Sequence, residues 1–511
     1  MKRFCTVILI LLLLASCAAQ SVPTQDTTAL CEMYSADDAD TSDIAVPFET
    51  GTETASELPT STERAVGTTE SAVSSPSQSM TDANKSSSAE TEKTTQTTAA
   101  PRTTTAAGNT QKAQTTTARQ SSTTTVAAAA PATTQIAAPD PVYSSEIRAV
   151  WITFYELTME APHNTEADFR ALTREMVHNI RNAKMNTVFL HVRSHSDAFY
   201  RSNVFPFTSR ISGTEGKDPG FDPLAIFCEY AAASGLSVHA WINPFRIGNA
   251  SEMSSRSSKN PAKRILQDGD PDNDSQVVQV GSVLYYDPAS PQVHDLIRGG
   301  VRELLENYRI DGVHIDDYFY PGTDASIDAK EYNAYKNSGG TLGLGDWRRS
   351  VVSAWVADLY RTVKSYGSEK IFSISPAVSV ERNRSELYAD VERWGRYDGY
   401  CDWMIPQLYV GFEHQTVPFP SAAAQWRALM RNPNVRLIFG LAAYKCGTRD
   451  GYAGSGANEW QKHSDILSRQ LSYARSVSGF GGFALFSYSG VFGRNLSDNS
   501  NEEMKLFKAM L

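Results

Sequence analysis

Eight short runs of apolar and β-branched residues mark the chain beyond its first third, at 147–154, 187–194, 237–245, 312–318, 370–377, 402–409, 436–444 and 482–488. Apolar positions at helical spacing follow them, over 165–184, 223–234, 291–308, 347–366, 387–396, 422–430, 459–477 and 501–510. Strand-length runs alternating with helices predict βα units and a parallel sheet. Eight units in succession predict a (β/α)8 TIM barrel. The alternative is an open doubly wound sheet, which the lack of a Gly-rich phosphate turn after the first run weakens. The stretches after runs two, three and four are long, 196–222, 246–288 and 319–345, whereas the opposite turns are short and carry Gly235 and Gly367. The long loops therefore mark the rim at the strand C-termini, where barrel active sites lie.

Alternation within each strand decides which side chains face the barrel axis. Val313 and Ile315 form an apolar outer face, which turns His314, Asp316 and Tyr318 inward. The same period turns inward His191 and Arg193 on strand two, His239, Trp241 and Asn243 on strand three, Ser373 and Ser375 on strand five, and Gln407 and Tyr409 on strand six. An upper layer of Arg, Asn, Asp, Gln and Tyr is costly to bury without partners, so a polar ligand is expected in the mouth.

The periodic pattern is missing before residue 146. Lys2 and Arg3 precede an apolar run from Phe4 to Ala15, long enough for a signal-peptide core and too short to cross a bilayer. No Phe, Trp or Tyr occurs between Thr52 and Val142, and 32 of the 80 residues from Ser61 to Asp140 are Ser or Thr. Such a composition buries too little apolar surface to offset the entropy of ordering, so no fold is expected there. Residues 1–145 hold 8 Lys+Arg and 15 Asp+Glu, leaving 39 of the 47 basic and 42 of the 57 acidic residues to the remainder, a net of −3. That near-neutral remainder has no basic field for nucleic acid.

Leu14-Ala15-Ser16-Cys17 resembles the lipobox of bacterial lipoproteins, which implies cleavage before Cys17 and acylation of that residue. An ordinary secretory signal is the alternative, and both export the protein. The expected organisation is a lipoprotein signal peptide at 1–16, a disordered tether at 17–145, acidic and then Thr/Ser/Ala-rich, and a barrel over 146–511. A coil of this length reaches about 60 Å, enough to hold a domain away from the bacterial cell membrane, facing the cell wall or periplasm. Cys228, Cys401 and Cys446 sit singly in apolar elements, which suits buried thiols better than a disulfide framework. With no CxxC, HExxH or P-loop pattern, neither a metal nor a cofactor is expected, and the barrel is expected to be a monomer.

Six segments carry a family resemblance: Glu146-Ile-Arg-Ala-Val-Trp151; Asn186-Thr-Val-Phe-Leu-His-Val-Arg193 with Asp197-Ala-Phe-Tyr200; Asp218-Pro-Gly-Phe-Asp222-Pro; His239-Ala-Trp-Ile-Asn-Pro244; Asp311-Gly-Val-His-Ile-Asp-Asp-Tyr-Phe-Tyr-Pro321; and Ile405-Pro-Gln-Leu-Tyr409. Together they resemble glycosyl-hydrolase-like family 10. The resemblance implies a (β/α)8 glycoside hydrolase of the bacterial envelope, with peptidoglycan glycan strands stripped of stem peptides as a substrate class. The segment from Asp311 to Asp316 is also similar to the strand-four nucleophile segment of the α-amylase clan, which singles out Asp316.

Glycosidic cleavage needs one carboxyl to protonate the leaving oxygen and a second as nucleophile or base. Asp316 has the position for one of them. Arg193, His239 or His314 beside it would lower its pKa and keep it ionised as nucleophile or base. The second carboxyl is open among Asp317, Asp197, Glu381 and Glu413; only Asp317 and Asp197 lie in family-like segments. Alternation aims Asp317 away from the axis unless the strand has already ended. Trp151, Trp241, Tyr318, Tyr320 and Tyr409 are candidates to stack on sugar faces, and Arg193, Asn243, His314 and Gln407 to bind polar sugar groups. Trp355, Trp403 and Trp426 are assigned to packing. Two other functions fit the same polar mouth: a non-catalytic glycan-binding barrel, and a metal-dependent deacetylase using His191, His239, His314 and Asp316.

Overall fold

The computed structural model describes residues 146–511. The signal peptide, Cys17 and the tether lie outside the described residues. The strands in chain order are β1 (Ile147–Ile152), β2 (Thr187–Arg193), β3 (Ser237–Ile242), β4 (Arg246–Asn249), β5 (Val277–Val280), β6 (Val283–Tyr286), β7 (Gly312–Ile315), β8 (Ile371–Ile374), β9 (Trp403–Met404), β10 (Arg436–Ala442) and β11 (Phe480–Phe486). Eight of them close a parallel barrel in the order β1-β2-β3-β7-β8-β9-β10-β11, and these are the eight runs read from the sequence.

The alternation is realised as two apolar layers. Val188, Leu190, Val238, Ala240, Val313 and Ile315 pack outward against the helices. Ile147, Ala149, Trp151, Phe189, Trp241, Trp403, Ile405, Ile438 and Ala484 fill the barrel interior. Gly440 on β10 leaves room for Trp151: a Cβ there would stand 3.3 Å from the indole and 2.9 Å from the Pro406 carbonyl.

The helices start where the sequence supplies caps. Thr165 and Asp168 form a reciprocal capping box on the helix Glu166–Asn182, whose buried Phe169, Thr173, Met176, Val177 and Ile180 fall on one face. Asp222 and Ser290 cap the helices Pro223–Ala233 and Pro291–Asn307, each with proline in the first turn.

The structure departs from the sequence reading in several places: the sixth strand, read as 402–409, is only Trp403–Met404, and the helix read at 387–396 is the pair Val380–Ser385 and Val391–Trp394. The predicted helix 459–477 is split into Glu459–Lys462 and Ile466–Ser476. The buried Glu503 carboxylate caps the second piece, accepting from the Ile466 and Leu467 N–H groups at 2.7 and 2.8 Å. The region 246–288, read as a loop, contains the antiparallel sheet β4-β6-β5. Its β5–β6 hairpin turns on Gly281 and Ser282, with Val280 facing Val283. The fourth barrel strand stops at Ile315 rather than running to Tyr318.

Candidate active site

Because β7 ends at Ile315, Asp316 and Asp317 both lie in the turn that follows it, at the strand C-terminus. Asp316 is 4% exposed. Its Oδ2 accepts from Nε1 of Trp241 on β3 at 2.9 Å, and its Oδ1 from the backbone N–H of Tyr318 at 3.3 Å. Burial, and then the neighbouring charge of Asp317, push the Asp316 carboxyl up to about 8; the two hydrogen bonds only partly offset this. The expectation of a lowered pKa is therefore overturned. The basic residues meant to lower it are engaged elsewhere, and burial favours the neutral acid.

Asp317 is half-buried and turns toward the sixth barrel strand. Nε2 of Gln407 donates to its Oδ1 at 3.2 Å and to the Ser375 carbonyl at 3.0 Å. Two carboxyls thus share the mouth, one neutralised by burial and one more open. Asp197 is buried at the end of β2 instead, where its charge acts on Arg193, Arg210 and Arg256. Glu381 and Glu413 are exposed, and Glu413 lies 3.7 Å from His463.

The aromatic surroundings are ordered. Trp241 stacks on His191 with centroids 3.6 Å apart and planes 10° from parallel. Burial, and then Arg246, keep that imidazole well below its ordinary pKa and so neutral. Tyr409 is buried between Phe486, at 5.6 Å, and Tyr444, at 6.0 Å. The carboxylates are close enough to help raise the Tyr409 hydroxyl's pKa, after burial and Tyr444. Tyr318 is half-buried, with the Arg246 guanidinium 5.5 Å from its ring centroid.

Several residues expected to meet substrate serve the scaffold. His314 is fully buried below the carboxylates. Its Nε2 lies 3.0 Å from Trp151 Nε1 and 3.2 Å from Ser375 Oγ, and its Nδ1 lies 2.9 Å from Ser373 Oγ. Burial holds it well below its ordinary pKa, so it is a neutral core histidine. Trp151, its partner, belongs to the same interior layer. Arg193 is buried and donates to the carbonyls of His195, Asn243 and Pro244 at 3.2, 2.6 and 2.7 Å, bracing the end of β2 against that of β3. Tyr320 is buried, and its hydroxyl donates to Asp328 at 2.8 Å. Asn243 is buried beside the His191 imidazole. Trp355, Trp403 and Trp426 are buried, and Cys228, Cys401 and Cys446 are buried free thiols.

The geometry assembled for a deacetylase is also different from that expected. His191 stacks on Trp241, His239 stacks on Trp403, and His314 bonds Trp151, so the three imidazoles do not converge on Asp316. Among the described residues no group of three or more His, Cys, Asp or Glu side chains is arranged to hold a metal ion.

Sequence reasoning missed one carboxyl at this rim. Glu156, in the loop after β1, accepts from Thr153 N at 2.6 Å and from Ser487 Oγ at 2.7 Å, tying that loop to the end of β11. Burial raises its pKa. Its signal was position alone, an acid four residues past a strand end.

The family model for glycosyl hydrolase-like 10 matches residues 146–452, which span seven of the eight barrel strands and both carboxyls. The chain belongs to the glycosyl hydrolase-like 10 family. Relatives agree with the assignment. "Glycosyl hydrolase YngK" of Bacillus subtilis (strain 168) is 31% identical over 356 residues, covering 66% of this chain and 68% of that protein. "Glycosyl hydrolase DigH" of Escherichia coli O6:H1 (strain CFT073) is 30% identical over 372 residues, covering 66% and 82%. As a glycosyl hydrolase-like 10 protein, this barrel is a glycoside hydrolase.

Proposed function

We propose that this glycoside hydrolase cleaves the glycan of the cell envelope, in particular peptidoglycan strands lacking stem peptides, from a lipid anchor on Cys17. The reading rests on one observation above all: two adjacent carboxyls stand in the barrel mouth, Asp316 buried with its pKa pushed up to about 8 and Asp317 half-buried and more open. Asp316, buried and held near 8, keeps its proton at neutral pH and is the general acid that protonates the leaving oxygen. Asp317, more open and oriented by Gln407, is the nucleophile or base. Trp241, Tyr318 and Tyr409 line the sugar site beside them, with Gln407 as a polar partner. The family resemblance supports an envelope glycan, and the signal-like apolar run supports export and the membrane tether.

The test is incubation of the purified protein with glycan strands, with and without stem peptides, and identification of the products by mass. Release of saccharides from the denuded strands alone is the expected result. Asp316→Asn should lower turnover about 10²- to 10⁴-fold, the usual contribution of a general acid. Turnover that survives in both Asp316→Asn and Asp317→Asn would instead fit a barrel that binds glycan and does not cleave it through these groups.

A further inference from the structure

We propose that Tyr444 and Tyr452, on the loop after β10, form a second sugar-binding platform beyond the carboxylates, so that the enzyme binds several consecutive rings of a glycan chain and cleaves inside it. The proposal deepens the reading above and rests on it.

Large apolar side chains exposed at fixed positions call for an explanation when they cluster beside a site. Tyr444 is 40% exposed and Tyr452 45%, and both lie on the rim that carries Asp316 and Asp317. The loop that presents them is built rigidly. Nζ of Lys445 donates to the Tyr409 carbonyl at 2.8 Å and pairs with the buried Asp450 carboxylate at 2.7 Å. The other oxygen of Asp450 accepts from the Tyr452 N–H at 3.2 Å. A Cβ on Gly490 would lie 2.8 Å from the Tyr444 nitrogen, so the helix Tyr488–Phe492 backs the turn closely.

The ring of Tyr444 is continuous with the catalytic site. It stands edge-to-face with Tyr409, at 6.0 Å and 87°, and with Phe486, at 5.9 Å and 82°. Phe486 in turn lies 6.3 Å from Trp241, whose indole N–H holds Asp316. Burial raises the Tyr444 hydroxyl's pKa, and Lys445 beside it only partly offsets this. Across the barrel, Tyr318 and Arg246 flank the carboxylates on the side of β3 and β7. Aromatic surface on both sides of the reacting groups fits a chain that passes through the site, not a chain end seated in a closed pocket.

The test uses the full chain and stem-peptide-free glycan strands sorted by length. Tyr444→Ala should lower kcat/KM by an amount that grows with strand length, about tenfold on the longest strands through KM, with Tyr452→Ala a smaller loss of the same form. Tyr444→Phe should restore the length dependence, and the wild type should release mid-length fragments early. A loss equal at all lengths, no loss, or products released solely from chain ends overturns the proposal. If the wild type cleaves no strand, the catalytic reading fails separately, and the platform is then judged by the affinity of the same strands. Tighter binding of long strands to the wild type than to Tyr444→Ala sustains it, and equal binding overturns it.

Discussion

Asp316 accepts hydrogen bonds from two uncharged donors in a buried setting, and its chemistry follows from that. A general acid must carry its proton, so kcat/KM should fall as pH rises through about 8. The Trp241 N–H stabilises the carboxylate, so Trp241→Phe should raise the Asp316 pKa further and move this alkaline limb upward; a limb left in place would show that the bond does not tune the acid. Stability carries the same signature. Between the unfolded carboxyl's pKa near 4 and the folded value near 8, the native state binds the extra proton, so this group's contribution to stability falls as pH rises across that window. Asp316→Asn should therefore unfold at a higher temperature than wild type at pH 9, by ~3 °C or more, with the gap closing toward pH 4. Equal melting curves at both pH values would contradict the raised pKa. At this scale the sequence placed two acids near the top of the fourth strand. It did not show their protonation, because that depends on burial and on the Trp241 donor from another strand.

Among the elements, the long loop after β7 is fastened by a buried ion pair. Nε and Nη2 of Arg348, in the helix Leu344–Lys364, donate to the two oxygens of Asp328 at 2.8 and 2.7 Å, and the Tyr320 hydroxyl donates to the same carboxylate. Arg348→Met strands a buried charge and should cost about 3–5 kcal/mol, read from the shift in urea midpoint. Pairing it with Asp328→Leu should recover much of the loss, because the desolvated charge is gone. Helix starts were legible where a local cap exists, as at Thr165 with Asp168. The break before Ile466 was not, because Glu503, which caps it, lies 37 residues away. The hairpin at Gly281-Ser282 had a local signal, a two-residue turn between β-branched runs, but it was absorbed into what read as a rim loop.

The whole molecule joins a barrel to an N-terminal third of different composition. If Cys17 is acylated, Cys17→Ser should move the protein from the membrane fraction to the soluble one, and an unchanged distribution would count against the anchor. The (β/α)8 class was legible in the sequence, because hydrophobic period and strand spacing are local properties that recur over eight units. So was the apolar outer face of Val313 and Ile315. Which inward polar residues meet substrate was decided by tertiary structure. Arg193 and His314 look like ligands along their strands, yet in the folded barrel their polar atoms are taken by the His195 carbonyl, the Trp151 indole and other groups from neighbouring strands. Asp316 and Asp317 are left at the mouth because β7 stops one residue before them. Sequence fixes which groups a strand carries; depth along the barrel axis and partners from other strands determine which stay open to a glycan.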